Sequence, residues 1–185
     1  MIKDILKNAT ERMDKSLDAF RQELHKVRTG KATTALLDGV KVDYYGALTP
    51  LHKLANISVQ DAHSLLVQPY DRSASPLIDK DILKADLGLN PVNDGQVIRV
   101  PIPPLNEERR RDFVKLVKKF GEEAKVALRN IRRDANEHLK KAQKDEHASE
   151  DEVKKAEKQV QDITDKHIVN IDHLVKAKEA EIMEV

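Results

Sequence analysis

NEERRRDFVKLVKKFGEEAKVALRNIRRDANEHLKKAQK, residues 106–144, is the stretch from which the rest of the chain can be read. At about 100° per residue it forms one long helix with an apolar and a basic face. Phe113, Leu116, Phe120, Ala124, Ala127, Ile131, Ala135 and His138 fall on one side. Arg111, Lys115, Lys118, Lys125, Arg129, Arg132, Arg133 and Lys140 fall on the other, where Glu122 reverses the sign. Such a helix buries one stripe against other helices and offers the opposite stripe to something anionic. Binding, rather than chemistry on a small molecule, is the leading expectation.

Upstream, Ile2, Leu6, Ala9, Met13, Leu17, Phe20, Leu24 and Val27 recur at steps of three and four. This is a first long amphipathic helix. It is expected to end at Thr29-Gly30, where glycine suits the left-handed C-terminal position. Downstream, Ser149 with Glu152 three residues on forms a capping box. The helix it opens carries Val153, Ala156, Val160, Ile163, His167, Ile171, Leu174, Val175 and Ile182 on one line. The short polar junction at 145–152 makes the second and third long helices antiparallel neighbours. Helices of roughly 25–38 residues give a rod on the order of 40–55 Å long.

Residues 31–104 break the pattern. They hold every proline and most of the glycines (Gly39, Gly46, Gly88 and Gly95). Residues 40–46, 65–68 and 96–102 read as strands, the last launched by the Asn93-Asp94-Gly95 turn. Ser75-Pro76 opens a short helix with Ile78, Ile82, Leu83 and Leu87 apolar and Gly88 closing it. The expected class is therefore α+β: an elongated antiparallel three-helix bundle (1–30 and 105–185) with a small β/α/β domain (31–104) inserted. The two crossings, Thr29-Gly30-Lys31 and Ile102-Pro103-Pro104, are candidate hinges, glycine giving freedom at one and prolines stiffness at the other.

Composition agrees with a binding role. Of 185 residues, 35% are charged and only 3% aromatic, a balance suited to long solvated helices. The net charge of +1 conceals sorting by segment. Residues 105–144 carry thirteen basic against seven acidic side chains, while 145–185 carry six against twelve. With no cysteine, disulfides and thiolate chemistry are excluded. No apolar run approaches the ~20 residues of a membrane span, and the start resembles no targeting peptide. A soluble, cytoplasmic monomer is expected.

The arginine cluster at Arg129, Arg132 and Arg133 narrows the partner. Guanidinium forks suit phosphate oxygens better than ammonium groups do, and the positive sign persists over about eight turns. With few aromatics, and all three phenylalanines on core faces, base stacking is not the main mode. Structured RNA read by shape and phosphate fits better. The histidines show no metal-ligand spacing, and His138 and His167, near apolar lines, are expected as buried, hydrogen-bonded imidazoles. There is no phosphate loop or nucleophile elbow. No catalytic residue, metal or cofactor is expected.

Six motifs then carry a resemblance. Residues 27–32 (VRTGKA), 43–46 (DYYG), 71–76 (DRSASP), 86–91 (DLGLNP), 99–110 (RVPIPPLNEERR) and 129–136 (RNIRRDAN) closely resemble ribosome recycling factor. The likeness runs in the same order from end to end, with only conservative exchanges such as lysine at 31. It implies an L-shaped molecule of near-tRNA dimensions, a bundle bearing a hinged domain. It also implies a role in translation. After peptide release, such a factor enters the ribosome and, with elongation factor G and GTP, splits the subunits. Carried onto this sequence, Arg129, Arg132 and Arg133 become contacts to large-subunit rRNA, joined by Arg110, Arg28 and Lys125. Two other readings stay open from the residues alone. One is a helical coiled-coil adaptor without RNA binding, which needs a spare apolar stripe on the bundle's exterior. The other is a small-metabolite enzyme using Asp71, Arg72, Ser73 and Asp94, which turn chemistry explains adequately.

Overall fold

The computed structural model describes residues 1–184. In chain order the elements are α1 (Ile2–Lys26), β1 (Lys41–Tyr44), β2 (Ala47–Pro50), α2 (Leu51–Leu54), β3 (Ala55–Asp61), β4 (Ser64–Pro69), α3 (Ser75–Lys84), β5 (Val92–Asn93), β6 (Ile98–Pro101), α4 (Glu107–Asp145) and α5 (Glu150–Met183). Short 3-10 turns cover Thr34–Leu37 and Arg72–Ala74. The chain is α+β, with three long helices and a small β-containing part, as the sequence led one to expect. It divides into two compact units: Met1–Val27 with the chain from Arg110 onward, and Arg28–Arg109.

The helical unit is held by one apolar seam. Met13, Leu17, Phe20 and Leu24 of α1 meet Val117, Leu128, Ile131 and Leu139 of α4 and Val153, Val160, Ile171 and Ile182 of α5. All of these are buried because each helix repeats apolar side chains at helical spacing and must cover them. Ser149 caps α5: its hydroxyl accepts the Glu152 N–H at 3.2 Å, and the Glu152 carboxylate accepts the Ser149 N–H at 3.3 Å. A polar pair of a buried histidine and an exposed aspartate crosses the seam's edge. His167 on α5 places Nδ1 2.8 Å from the Ile163 carbonyl and Nε2 2.7 Å from the Asp14 carboxylate of α1.

The buried arc of α4 is rotated from the line expected. It centres on Val117, Gly121, Leu128, Ala135 and Leu139, because α1 and α5 both cover the helix. Phe120, Ala124 and Ala127, on the expected line, sit at its α1-facing edge together with Ser16, Ala19 and Phe20. His138, expected to be buried, is exposed. It falls on that half-covered edge, where alanine stays partly covered but an imidazole reaches water. The end of α1 also differs from expectation. The helix stops at Lys26, and Val27 is extended with φ −74° and ψ 125°. Gly30 has φ +77° but caps nothing. A Cβ there would lie 3.2 Å from the Leu105 N and 3.3 Å from its Cγ, so glycine permits two chain segments to run side by side.

The second unit has its own core. β3, β4, β6 and β5 form an antiparallel sheet in that order, and β1–β2 form a separate hairpin. Leu65 and Val67 of β4 and Ile98 and Val100 of β6 point inward at period two. They pack with Ile78 and Ile82 of α3 and with Leu37, Val40, Val42 and Leu51. The expected strand at 40–46 breaks into a hairpin, because Tyr45 and Gly46 both take positive φ. The short helix ends at Lys84, four residues before Gly88, and Leu83 is 53% exposed. Not among the expected strands are β3, an edge strand with a bulge between Val59 and Asp61, and the two-residue β5.

One tight contact is open to test. A Cβ at Gly121 would lie 2.7 Å from the Val175 Cγ2. Gly121→Ala gains helix propensity of about 1 kcal/mol, but overpacking should cost more, for a net loss of about 1–2 kcal/mol. In a Val175→Ala background the same change should become neutral or stabilising, read by urea denaturation.

Candidate nucleic-acid interface

The basic residues of α4 do not form one free stripe. Those on its α5-facing edge are partly engaged. Lys125 donates to Asp172 of α5 at 2.5 Å and lies 3.4 Å from Glu122, and its side chain is only 17% exposed. The hydrogen bond to Asp172 raises the Lys125 ammonium above the usual lysine range, burial opposing and Glu122 assisting. Lys118 reaches Glu179 at 4.0 Å. Arg132 is half-buried, and its Nη1 donates to Gln161 Oε1 at 3.4 Å.

Further round the helix the cations face outward. Arg133 is exposed and Arg129 half-exposed, and neither has a hydrogen bond or ion pair among the described residues. Lys115 and Lys140 are exposed on the same side. The cluster that can meet phosphate is thus Arg129, Arg132 and Arg133 with their lysine neighbours, whereas Lys125 is spent on joining two helices. The partners on α5 were not foreseen from the sequence. Their signal was present, because acidic residues at 165, 172 and 179 step by seven, as do the cations at 118, 125 and 132.

The other candidates lie elsewhere. Arg28 is half-buried and donates to the Leu87 carbonyl within the sheet-containing unit. Arg110 is half-buried in the helical unit, its Nε enclosed without a partner among the described residues. The crossing segments are fastened within the sheet-containing unit by the β3–β4 turn. The Ala32 N–H donates to the Ala62 carbonyl at 2.8 Å, and the Ile102 N–H to the His63 carbonyl at 2.7 Å. The Gly30 carbonyl lies 3.3 Å from His63 Nδ1. Thr29 and Lys31 are half-buried, Gly30 and Ile102 buried, and Pro103 and Pro104 exposed.

The polar residues of the sheet-containing unit serve turns. Asp71 accepts the Ser73 N–H at 3.0 Å and the Tyr44 hydroxyl at 3.0 Å. Bonds from Ser73, with Tyr44, hold its carboxyl below the usual range. Asp94 accepts the Gln96 and Val97 N–H groups at 3.0 and 2.8 Å, which lowers it likewise. Carboxylates stabilised as turn acceptors make poor proton-transfer groups. Among the described residues no group of three or more metal-ligating side chains converges, and no helix is long and apolar enough to cross a membrane. Exposed large apolar side chains of the helical unit, Met1, Val126, Val169 and Met183, are few and form no continuous stripe of the kind an adaptor would need among the described residues.

Comparison with known proteins falls in line with these features. A family model described as ribosome recycling factor matches residues 20–183. The ribosome-recycling factor of Nitratidesulfovibrio vulgaris is 52% identical over 184 residues, covering 100% of this chain and 99% of the relative. That of Shouchella clausii is 56% identical over 185 residues, with both chains fully covered. A solution structure of the ribosome recycling factor superposes with a TM-score of 0.81 at 44% identity, over 100% of this chain and 98% of that one. The T. thermophilus factor, in models of it and E. coli elongation factor G bound to the E. coli post-termination complex, gives 0.68 at 45% identity over the whole of both chains. The chain therefore belongs to the ribosome recycling factor family, whose members are translation factors and not enzymes.

Proposed function

We propose that this protein recycles ribosomes after termination by laying the outer face of α4 on large-subunit rRNA. Elongation factor G and GTP then drive the subunits apart. The observation that carries the rRNA contact is the arginine cluster. Arg129 and Arg133 point outward without partners among the described residues, and Arg132 beside them is engaged only by a neutral amide. Holding unpaired guanidinium groups together on a rigid helix costs electrostatic repulsion, which an anionic partner relieves. A related factor placed with elongation factor G on the post-termination complex supports the partners.

The energy for splitting comes in this reading from elongation factor G and GTP. This chain acts as a grip and a transmitter. Its grip is the bundle, stiffened by the apolar seam. Its transmitter is the sheet-containing unit, joined through Thr29-Gly30-Lys31 and Ile102-Pro103-Pro104. Because Arg28, Gly30, Ala32 and Ile102 are tied within the sheet-containing unit and Leu105 packs on Gly30, the bending points are the flanking residues, at the Val27–Arg28 junction on one crossing and 106–109 on the other.

Replacing Arg129, Arg132 and Arg133 by alanine should leave helicity unchanged and shift stability by no more than about 0.5 kcal/mol per site. Ribosome affinity should fall steeply, and its logarithmic salt slope should flatten by about 2–3 units if each side chain neutralises one phosphate. Titration with ribosomes across a salt series checks both. Lys125→Ala should do the reverse, lowering stability by up to about 1 kcal/mol with the slope retained. A cross-link that locks the two units should spare binding yet abolish subunit separation with elongation factor G and GTP, measured by light scattering. Full activity of the locked protein would remove the hinge from the mechanism.

A further inference from the structure

The cation–anion rungs between α4 and α5 follow a rule that breaks at one position. Lys118 meets Glu179 at 4.0 Å and Lys125 meets Asp172 at 2.5 Å. Each step is seven residues, ascending on α4 and descending on α5, as antiparallel helices in coiled-coil register require. The same step places the next rung at Arg132 and Asp165. That rung is not made. Arg132 Nη1 donates to Gln161 Oε1 at 3.4 Å, and Gln161 Nε2 donates to Asp165 Oδ1 at 2.8 Å. Gln161 lies four residues before Asp165, so both share one face of α5.

The amide is the side chain that can occupy this place. A guanidinium carries only donors and a carboxylate only acceptors, while an amide offers one group of each kind. A direct arginine–carboxylate pair is commonly bidentate, taking two donors and offsetting the charge. The amide takes one donor and no charge. The break in the ladder coincides with the arginine cluster.

We infer that Gln161 is a positioning residue that insulates Arg132 from Asp165, so that the guanidinium keeps its charge and its remaining donors for a phosphate. This rests on the rRNA-binding reading of α4, and it makes a residue of the acidic helix decisive for the basic one. Without the amide, Asp165 completes the rung and α4 loses one effective cation. The ion-pair ladder that joins the helices is thereby stopped before it neutralises the binding face.

Gln161→Leu removes the amide while keeping bulk and helix propensity. It should lower ribosome affinity by about three- to tenfold and flatten the salt slope by roughly 0.7–0.9, one phosphate's worth, with melting temperature unchanged or raised. Adding Asp165→Asn should restore both affinity and slope, because no anion is left to pair with Arg132. In an Arg132→Ala background, Gln161→Leu should have no further effect. A crystal structure of the Gln161→Leu protein should show Arg132 and Asp165 within about 4 Å. Absence of that pair, or an affinity loss that Asp165→Asn does not repair, would overturn the inference. So would unchanged affinity in Gln161→Leu when Arg132→Ala alone weakens binding. If Arg132→Ala itself leaves binding intact, the rRNA reading of that side chain fails, and the insulating role fails with it.

Discussion

The apolar seam shared by α1, α4 and α5 is the constraint on which the rest depends. Each helix has one broad apolar arc and nothing else to bury, so the three must close on each other. Closing them covers α4 from two sides. One flank meets α1 through small and aromatic side chains and the Arg12–Asp134 ion pair; the other meets α5 through ion pairs and a glutamine. Only the outer arc of α4 is left to the surroundings. Whether a cation is left open to the surroundings or braces the bundle is thus decided by its angle about the helix, not by its identity.

That angular sorting explains why net charge is a poor guide here. The helices are oppositely charged overall, and exposed pairs contribute little to stability, so the ladder between α4 and α5 is better viewed as register. Hydrocarbon holds the rods, and the rungs specify how they are staggered. The sheet-containing unit is organised by the same economy on a smaller scale. Its carboxylates, Asp71 and Asp94, are occupied in turns, and its entering and leaving segments are clasped by one β-turn.

Much of the architecture was legible in periodicity. The long helices, the capping box at Ser149 and the strands carrying Leu65, Val67, Ile98 and Val100 follow from spacing, because side-chain direction is fixed by the local backbone. The errors came where tertiary surroundings decide. His138 falls on the apolar line but at an edge that α1 covers only in part. Gly30 looks like a helix cap, yet its left-handed backbone serves a crossing with Leu105. β3 went unread although Ala55, Ile57 and Val59 alternate with Asn56, Ser58 and Gln60, because so short a run with small and polar side chains carries little apolar signal. Among the candidate contacts, the arginine cluster was visible as a stripe. The engagement of Lys125 was not, since it required knowing which side of α4 faces the acidic helix.

If the outer arc of α4 is the face that meets ribosomal phosphates, a cryo-EM reconstruction of this protein on a post-termination ribosome tests it most directly. The guanidinium groups of Arg129, Arg132 and Arg133 should stand within about 4 Å of backbone phosphate oxygens, with Lys125 still seated on Asp172. A bound state in which α4 turns those arginines to solvent, while another side of the bundle lies on the RNA, would contradict it.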